Sequence, residues 1–422
     1  MNRQNRAFGA LRRAFSASAL AAALLLPLAL SSCGDSKGSV AVGREQLFTL
    51  GYGPAEDQID LFQLENAAGP LKTRLAMREG IFYVSNGNGA KVVRYSSFGD
   101  VLSMLYDPER NPEPLLLKPS KGEEGPGRRA YPYPFLAVGE VAVDSRQTVY
   151  VEDRLPPERR VFDKDSGSML DYVALRFDKE GRFLDYLGQE GVGGTPFPFI
   201  AGIYVTPADD CVVVSMTQAS WLVHWFDSRG FVRYSLKIRR DSLPQPSKDS
   251  GLIASLDRVL PDADGKSLLL KVDYYREAVD PQTKSRSGIE YAGSWAFRMD
   301  PSNAAVSDRW EIPYEEKLVK QANDGGTTRH VRIPELLGVS GDRLFMTTAD
   351  DEGKSYLAIF DLGSRNISRY SIDISPDELF YSTLSLSSDG IVCALLGTKY
   401  EARVVWWRFD KLLGASAKAK LK

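Results

Sequence analysis

Between residues 45 and 413, apolar positions fall in short alternating or fully apolar runs of four to eight residues. Gly, Asp, Asn and Pro separate them. Runs such as CVVVSM, LLLKVDYY, LFMTTAD and VVWWRFD have the two-residue period and β-branched content of strands, and helical periodicity is scarce. The pattern predicts an all-β chain.

The runs recur in a fixed order. An apolar strand leads through a polar turn to a second, then to a third that ends in Asp, then through another turn to a fourth. Compare RYSSFGDVL, RFDKEGRFL, WFDSRGFVR, FRMDPSNAAV and IFDLGSRNI; a sixth copy, WRFD at Trp407, has no fourth strand behind it. The third-strand Asp recurs at Asp178, Asp227, Asp300, Asp361 and Asp410, in steps of 49, 73, 61 and 49 residues. Unequal steps that each hold four strands predict β-propeller blades with variable loops. Six blades are expected, with seven as the alternative. The last copy supplies three strands, so EQLFTL at Glu45 to Leu50 is expected to add the fourth and close the ring without an open edge.

At this point the repeats resemble NHL-type six-bladed propellers. The matching residues are Phe177-Asp178, Gly181, Phe183-Leu184, Gly188, Gly191, Gly193-Gly194, Pro198 and Gly202 to Val205. The hairpin from Val84 to Tyr95 looks like the second turn of that repeat, with Asn86-Gly87-Asn88-Gly89 suited to positive φ. Together with Cys33, the segment YLGQEGVGGTPFPFI is similar to spirochaete propeller lipoproteins of unassigned function. The Gly-rich segment is not a phosphate loop. Pro196 and Pro198 force extended backbone where a phosphate-binding helix would begin, and no Lys-Ser or Lys-Thr follows. A crossing between blades is expected instead, with Phe197 and Phe199 wedged between them.

The ends change the picture of location. Arg3, Arg6, Arg12 and Arg13, the apolar run Ala19 to Leu30, and LALSSC have the layout of a secretory signal too short to span a membrane. Small residues directly before Cys33 resemble a lipobox, which implies acylation of that thiol, palmitate included, and a membrane anchor. Expected boundaries are a lipoprotein signal peptide at 1–32, a tether at 33–44, the propeller at 45–413 and a basic tail at 414–422. Either general secretory or twin-arginine export suits the Arg12-Arg13 pair. The expected location is the bacterial cell envelope, lipid-anchored and outside the cytoplasm. Residues 1–32 hold four Arg and no acid, so the mature chain has 49 Lys+Arg against 55 Asp+Glu, a net charge of −6. That balance gives no basic footprint for nucleic acid.

Candidate chemistry is thin. Cys211 and Cys393 sit in apolar runs, as buried small hydrophobes or a disulfide pair. His224 and His330 are the only histidines, no Gly-x-Ser-x-Gly elbow occurs, and no Cys/His cluster marks a metal site. No catalytic residue, metal ligand or cofactor is assigned. The connection from Asp107 to Phe135 carries seven prolines in 29 residues. It is read as a binding loop or as a solvated insertion. Its Arg128, Arg129, Tyr131 and Tyr133 combine guanidinium and aromatic groups as binding hot spots do, and they are the candidate partner-binding residues. A second candidate edge is the extension of blade four, from Glu311 to Arg332, with Asp324-Gly325-Gly326 at its tip. The expected role is a monomeric, lipid-anchored binding or scaffolding module for a protein or glycan. The alternative is a propeller hydrolase or lyase with a divalent cation on its axis, for which Glu140, Asp144, Asp257 and Asp273 are the available carboxylates.

Overall fold

The computed structural model describes residues 40–62, 71–119, 128–247, 251–279, 283–320, 327–350 and 353–413. The described residues are nearly all-β, 58% strand and 4% helical, and those from Ala41 onward are arranged as a six-bladed β-propeller. The inner strands of blades one to six are Thr73–Arg78, Val141–Val143, Phe199–Val205, Ile253–Pro261, Glu335–Ser340 and Leu379–Leu386. From each, antiparallel neighbours lead outward.

Ring closure follows the expectation. The strand Glu45–Tyr52 pairs antiparallel with Ala402–Trp407, with Phe48 opposite Val404 and Leu50 opposite Ala402. Phe48 is buried, its ring 5.8 Å from Phe82 and 5.4 Å from Tyr95 of blade one. One N-terminal strand thus completes the last blade and packs against the first.

The third-strand Asp repeat has a structural cause. Asp178, Asp227, Asp300 and Asp361 each start the turn into the outer strand, and their carboxylates accept backbone N–H groups two to four residues on. Asp410 stands apart, in the short helical turn after Trp407, paired with Arg408. In blade one, the Ser96 hydroxyl accepts the same kind of bond from Phe98 and Asp100.

Inner faces of adjacent blades interdigitate. Val212, Val214 and Trp225 of blade three pack with Val259, Leu270 and Phe297 of blade four. Both faces of each sheet are covered, which is why the second and third strands are apolar throughout. Cys211 and Cys393 are buried free thiols in separate blades, so the disulfide alternative falls. Burial raises the pKa of both, as expected for packed thiols.

Three local expectations need correction. In the first hairpin the residue with positive φ is Ala90, at 45°, rather than one in Asn86 to Gly89. Gly87 is required there for space: a Cβ would lie 2.6 Å from the Lys72 carbonyl and 2.8 Å from that of Val138. In the Gly-rich crossing, Gly191 and Gly193 take φ of 112° and 71°, and Phe197 is wholly buried between blades two and three. Phe199 is not wedged beside it but is 44% exposed. Residues 41–42 run as a strand at the edge of blade five, and the Arg44 guanidinium donates to the Asp373 carbonyl at 3.0 Å. The signal segment, Cys33, residues 33–39, the blade-four tip and the C-terminal tail lie outside the described residues.

Candidate functional site

Strand alternation gives the propeller two unlike faces. Connections from inner to second strand, and from third to outer strand, emerge on one face. These are tight: the turns at 144–148, 178–182, 206–210 and 227–231 each close with a short-range backbone hydrogen bond. Second-to-third connections and crossings between blades emerge on the other face. There lie the hairpin Val161–Asp163/Ser168–Leu170 of blade two, the long paired strands Leu268–Val279 and Arg286–Met299 of blade four, and the hairpin Glu315–Lys320/Thr327–Arg332 before blade five. Among the described residues, the inserted hairpins lie on this face, whereas the proline-rich connection reaches the plain one as well.

On this elaborated side an ion cluster joins blades one, two and three. Lys72 Nζ lies 2.7 Å from Glu152 Oε2 and 3.6 Å from Glu140 Oε1, and it donates to the Ile200 carbonyl at 2.6 Å. Arg74 Nε donates to Glu140 Oε1 at 2.9 Å, and the Glu140 N–H donates to Glu152. Blades one, two and three are pinned together there. Burial pushes the Glu152 carboxyl up to about 7, against the pull of Lys72. In blade four, the wholly buried Lys271 lies 3.1 Å from Asp257 and 2.7 Å from Asp273, and Asp257 also accepts the Leu336 N–H of blade five.

These contacts bear on the axial carboxylates. Glu140 is paired with Lys72 and Arg74, and Asp257 and Asp273 share Lys271. Asp144 belongs to a tight turn on the opposite face, bound to the Arg146 and Thr148 N–H groups and to the Arg146 guanidinium. Among the described residues no three His, Cys, Asp or Glu side chains are grouped to hold a metal. His224 is buried between Phe197 and Phe226, and burial lowers its pKa to about 4.

The proline-rich connection is placed differently from the expectation. It has strands: Arg129–Pro132 adds parallel to the outer strand of blade one, and Lys118–Pro119 adds beyond it. Its course returns Arg128 to the tight-turn face, where the guanidinium pairs with Asp100 at 3.2 Å, both groups half exposed. Arg129 begins the added strand, opposite Ser103. Tyr131 lies against Gly181 of blade two. Tyr133 stacks among Phe135, Phe177 and Phe183 at 4.9 to 5.2 Å, and burial pushes its phenol up to about 12. The two tyrosines therefore join blades one and two, and the four residues do not form one projecting patch.

A groove missed by sequence reasoning opens on the elaborated face between blades two and three. Its volume is about 620 Å³, within the range of small-ligand pockets. Met169 of the blade-two hairpin, Asp171, Tyr172, Phe199, Met216 and Arg240 line it. Tyr172 and Phe199 meet edge to face at 5.9 Å, and Lys72 Nζ sits 4.4 Å over the Phe199 ring. Phe162 and Met169, directly opposite each other in the hairpin, leave an exposed apolar patch on one side of it. One sequence signal could have exposed it: VFDKDSGSML reads as a hairpin inserted where blade three has only MTQAS.

The molecule is thus a six-bladed β-propeller with one plain and one elaborated face. No family model and no curated protein matches the sequence. Among solved structures, it is similar to a Bacteroides caccae protein of unknown function, with 10% identity, TM-score 0.35, and coverage of 76% of this chain and 83% of that one. It is also similar to Drosophila Plexin A in complex with Semaphorin 1b, with 6% identity, TM-score 0.34, and coverage of 78% and 56%. A third is a Pyrococcus horikoshii acylaminoacyl peptidase, with 8% identity, TM-score 0.31, and coverage of 61% and 42%. At these values the likenesses say nothing of function, and the architecture rests on the chain's own strand pairing.

Proposed function

We propose that the protein is a lipid-anchored propeller of the bacterial cell envelope that binds a protein or glycan partner through its elaborated face. The observation that carries this reading is that the inserted hairpins among the described residues fall on one face. Hairpins that add little to the ring are kept on one face, and loops on a rigid scaffold are where recognition residues concentrate. Fold alone assigns no activity, and the axial carboxylates, already paired with Lys and Arg, favour binding over cation chemistry. The anchor reading rests on the sequence around Cys33 and on its likeness to a lipobox.

Two measurements test the two halves. Cys33→Ala is expected to abolish palmitate labelling and move the protein from the membrane to the soluble fraction; unchanged labelling and fractionation contradict the anchor. For the face, the full chain and a variant with Glu315–Arg332 replaced by a short turn are compared by affinity capture from solubilised envelopes. Captured species that depend on the hairpin support the reading. An identical set from both removes that hairpin from it.

A further inference from the structure

Resting on that reading, we infer that the groove between blades two and three is the partner site, and that it takes an extended acidic peptide segment bearing an apolar side chain beside a carboxylate. The apolar half is set by Met169, Met216 and Phe199. Thioethers adapt to aliphatic and aromatic side chains, and the exposed Phe162, opposite Met169 in the hairpin, extends that surface. The charged half comes from Arg240, which lines the groove, and from arginines on the segments beside it. Arg154 and Arg160 share Asp171, at 2.6 and 3.8 Å, and Arg239 is matched by Asp241 at 2.5 Å. Arg159 lies over the Tyr186 ring and Arg240 over the Trp221 ring, and neither has a carboxylate partner among the described residues. With Lys164, these five arginines stand against Asp171, Asp241, Glu158 and the hairpin's Asp163 and Asp165, a small local excess of positive charge on a chain of net charge −2. That imbalance is complementary to an acidic ligand and would favour its encounter and orientation.

Peptide is favoured over glycan by the state of the aromatic rings. A sugar ring stacks on an open aromatic face, but Lys72 sits over Phe199 and Arg154 over Tyr172 at 5.6 Å. What remains open is apolar edge, thioether and guanidinium.

The test pans a phage-displayed library of random heptapeptides, and in parallel an array of bacterial glycans, against the full chain in detergent. Wild type, Arg240→Glu and Met169→Asp are compared, each checked by its melting temperature. The expected result is enrichment of peptides with Asp or Glu next to Leu, Met or Phe. Their affinity should drop about tenfold or more in Arg240→Glu, as for charge reversal at a binding site, and panning on that variant should enrich Lys and Arg. Met169→Asp, on the exposed hairpin, should weaken the same peptides if Arg240→Glu fails to fold. Peptides without acidic residues, or acidic peptides indifferent to both variants, overturn the proposal. Glycan binding lost in the groove variants overturns the peptide assignment while leaving the binding face intact. Peptide binding lost only on replacing Glu315–Arg332 overturns the groove. No enrichment from either library overturns the groove as well, and leaves the binding-face reading to stand or fall on envelope capture.

Discussion

The two faces of the propeller are built from the same strands and differ only in what joins them. On the plain face, Asp178, Asp227, Asp300 and Asp361 cap near-identical turns, and each carboxylate is used by its own backbone. On the elaborated face, the hairpins of blades two and four and the one before blade five differ from one another in length and composition. Arg159 and Arg240 point to no local carboxylate there among the described residues. Satisfied polar groups stabilise a fold, whereas exposed apolar and unpaired charged groups at a rim offer it little and suit recognition. The difference teaches that the repeat carries stability and that its interruptions are free to carry the binding proposed for them.

The comparison can be broken most severely at the frame that both faces share. Phe48→Ala removes the ring that seats the closing strand against blade one, and should destabilise by about 3–5 kcal/mol, with both faces losing hydrogen-exchange protection together. A small change in equilibrium unfolding would mean that closure does not hold the ring. Lys72→Ala leaves Glu152 buried without its cation and should cost about 3–5 kcal/mol. Adding Glu152→Gln should restore part of that loss, and an equal loss in the double variant would contradict the ion cluster as a clamp.

A third prediction concerns acid. His224 titrates near 4 in the fold against an ordinary 6.5, so between those values the unfolded chain binds a proton that the fold excludes. Stability from this group therefore falls as pH drops from 6.5 towards 4, by about 1.4 kcal/mol per unit at most. Glu152 and Asp153, held at about 7 and 6 by burial, act in the opposite sense. The readout is thus the stability of His224→Phe relative to wild type, which should rise as pH falls through that window; a pH-independent difference contradicts it. The smallest effects sharpen the contrast between faces. Asp227→Ala should cost about 1 kcal/mol for its turn hydrogen bonds and leave partner capture unchanged. Phe162→Ser should alter stability by less than about 0.5 kcal/mol yet weaken capture. The reverse pattern in thermal melts and pull-downs would invert the roles of the faces.

Much of the frame was legible in the sequence because it repeats. The Asp that ends the third strand of blades two to five, the apolar second and third strands, and the unpaired EQLFTL segment each fit one closed ring. Phe199 and the proline-rich connection were misjudged for a common reason. Alternation in a strand states which side a residue takes, but not whether a neighbouring blade covers that side. Tyr131 and Tyr133 carry the composition of a binding patch, yet the added strand turns them onto blade two. The groove was illegible because Met169, Phe199, Met216 and Arg240 are far apart in the chain and come together only when blades two and three stack.

The most direct test of the account places a photo-crosslinking amino acid at Met169 or Gln218 on the elaborated face, and at Lys179 or Ser228 on the plain face, in intact cells. The account predicts discrete crosslinked species from the first pair and none from the second. Crosslinks arising equally from both faces, or only from Lys179 and Ser228, would contradict it.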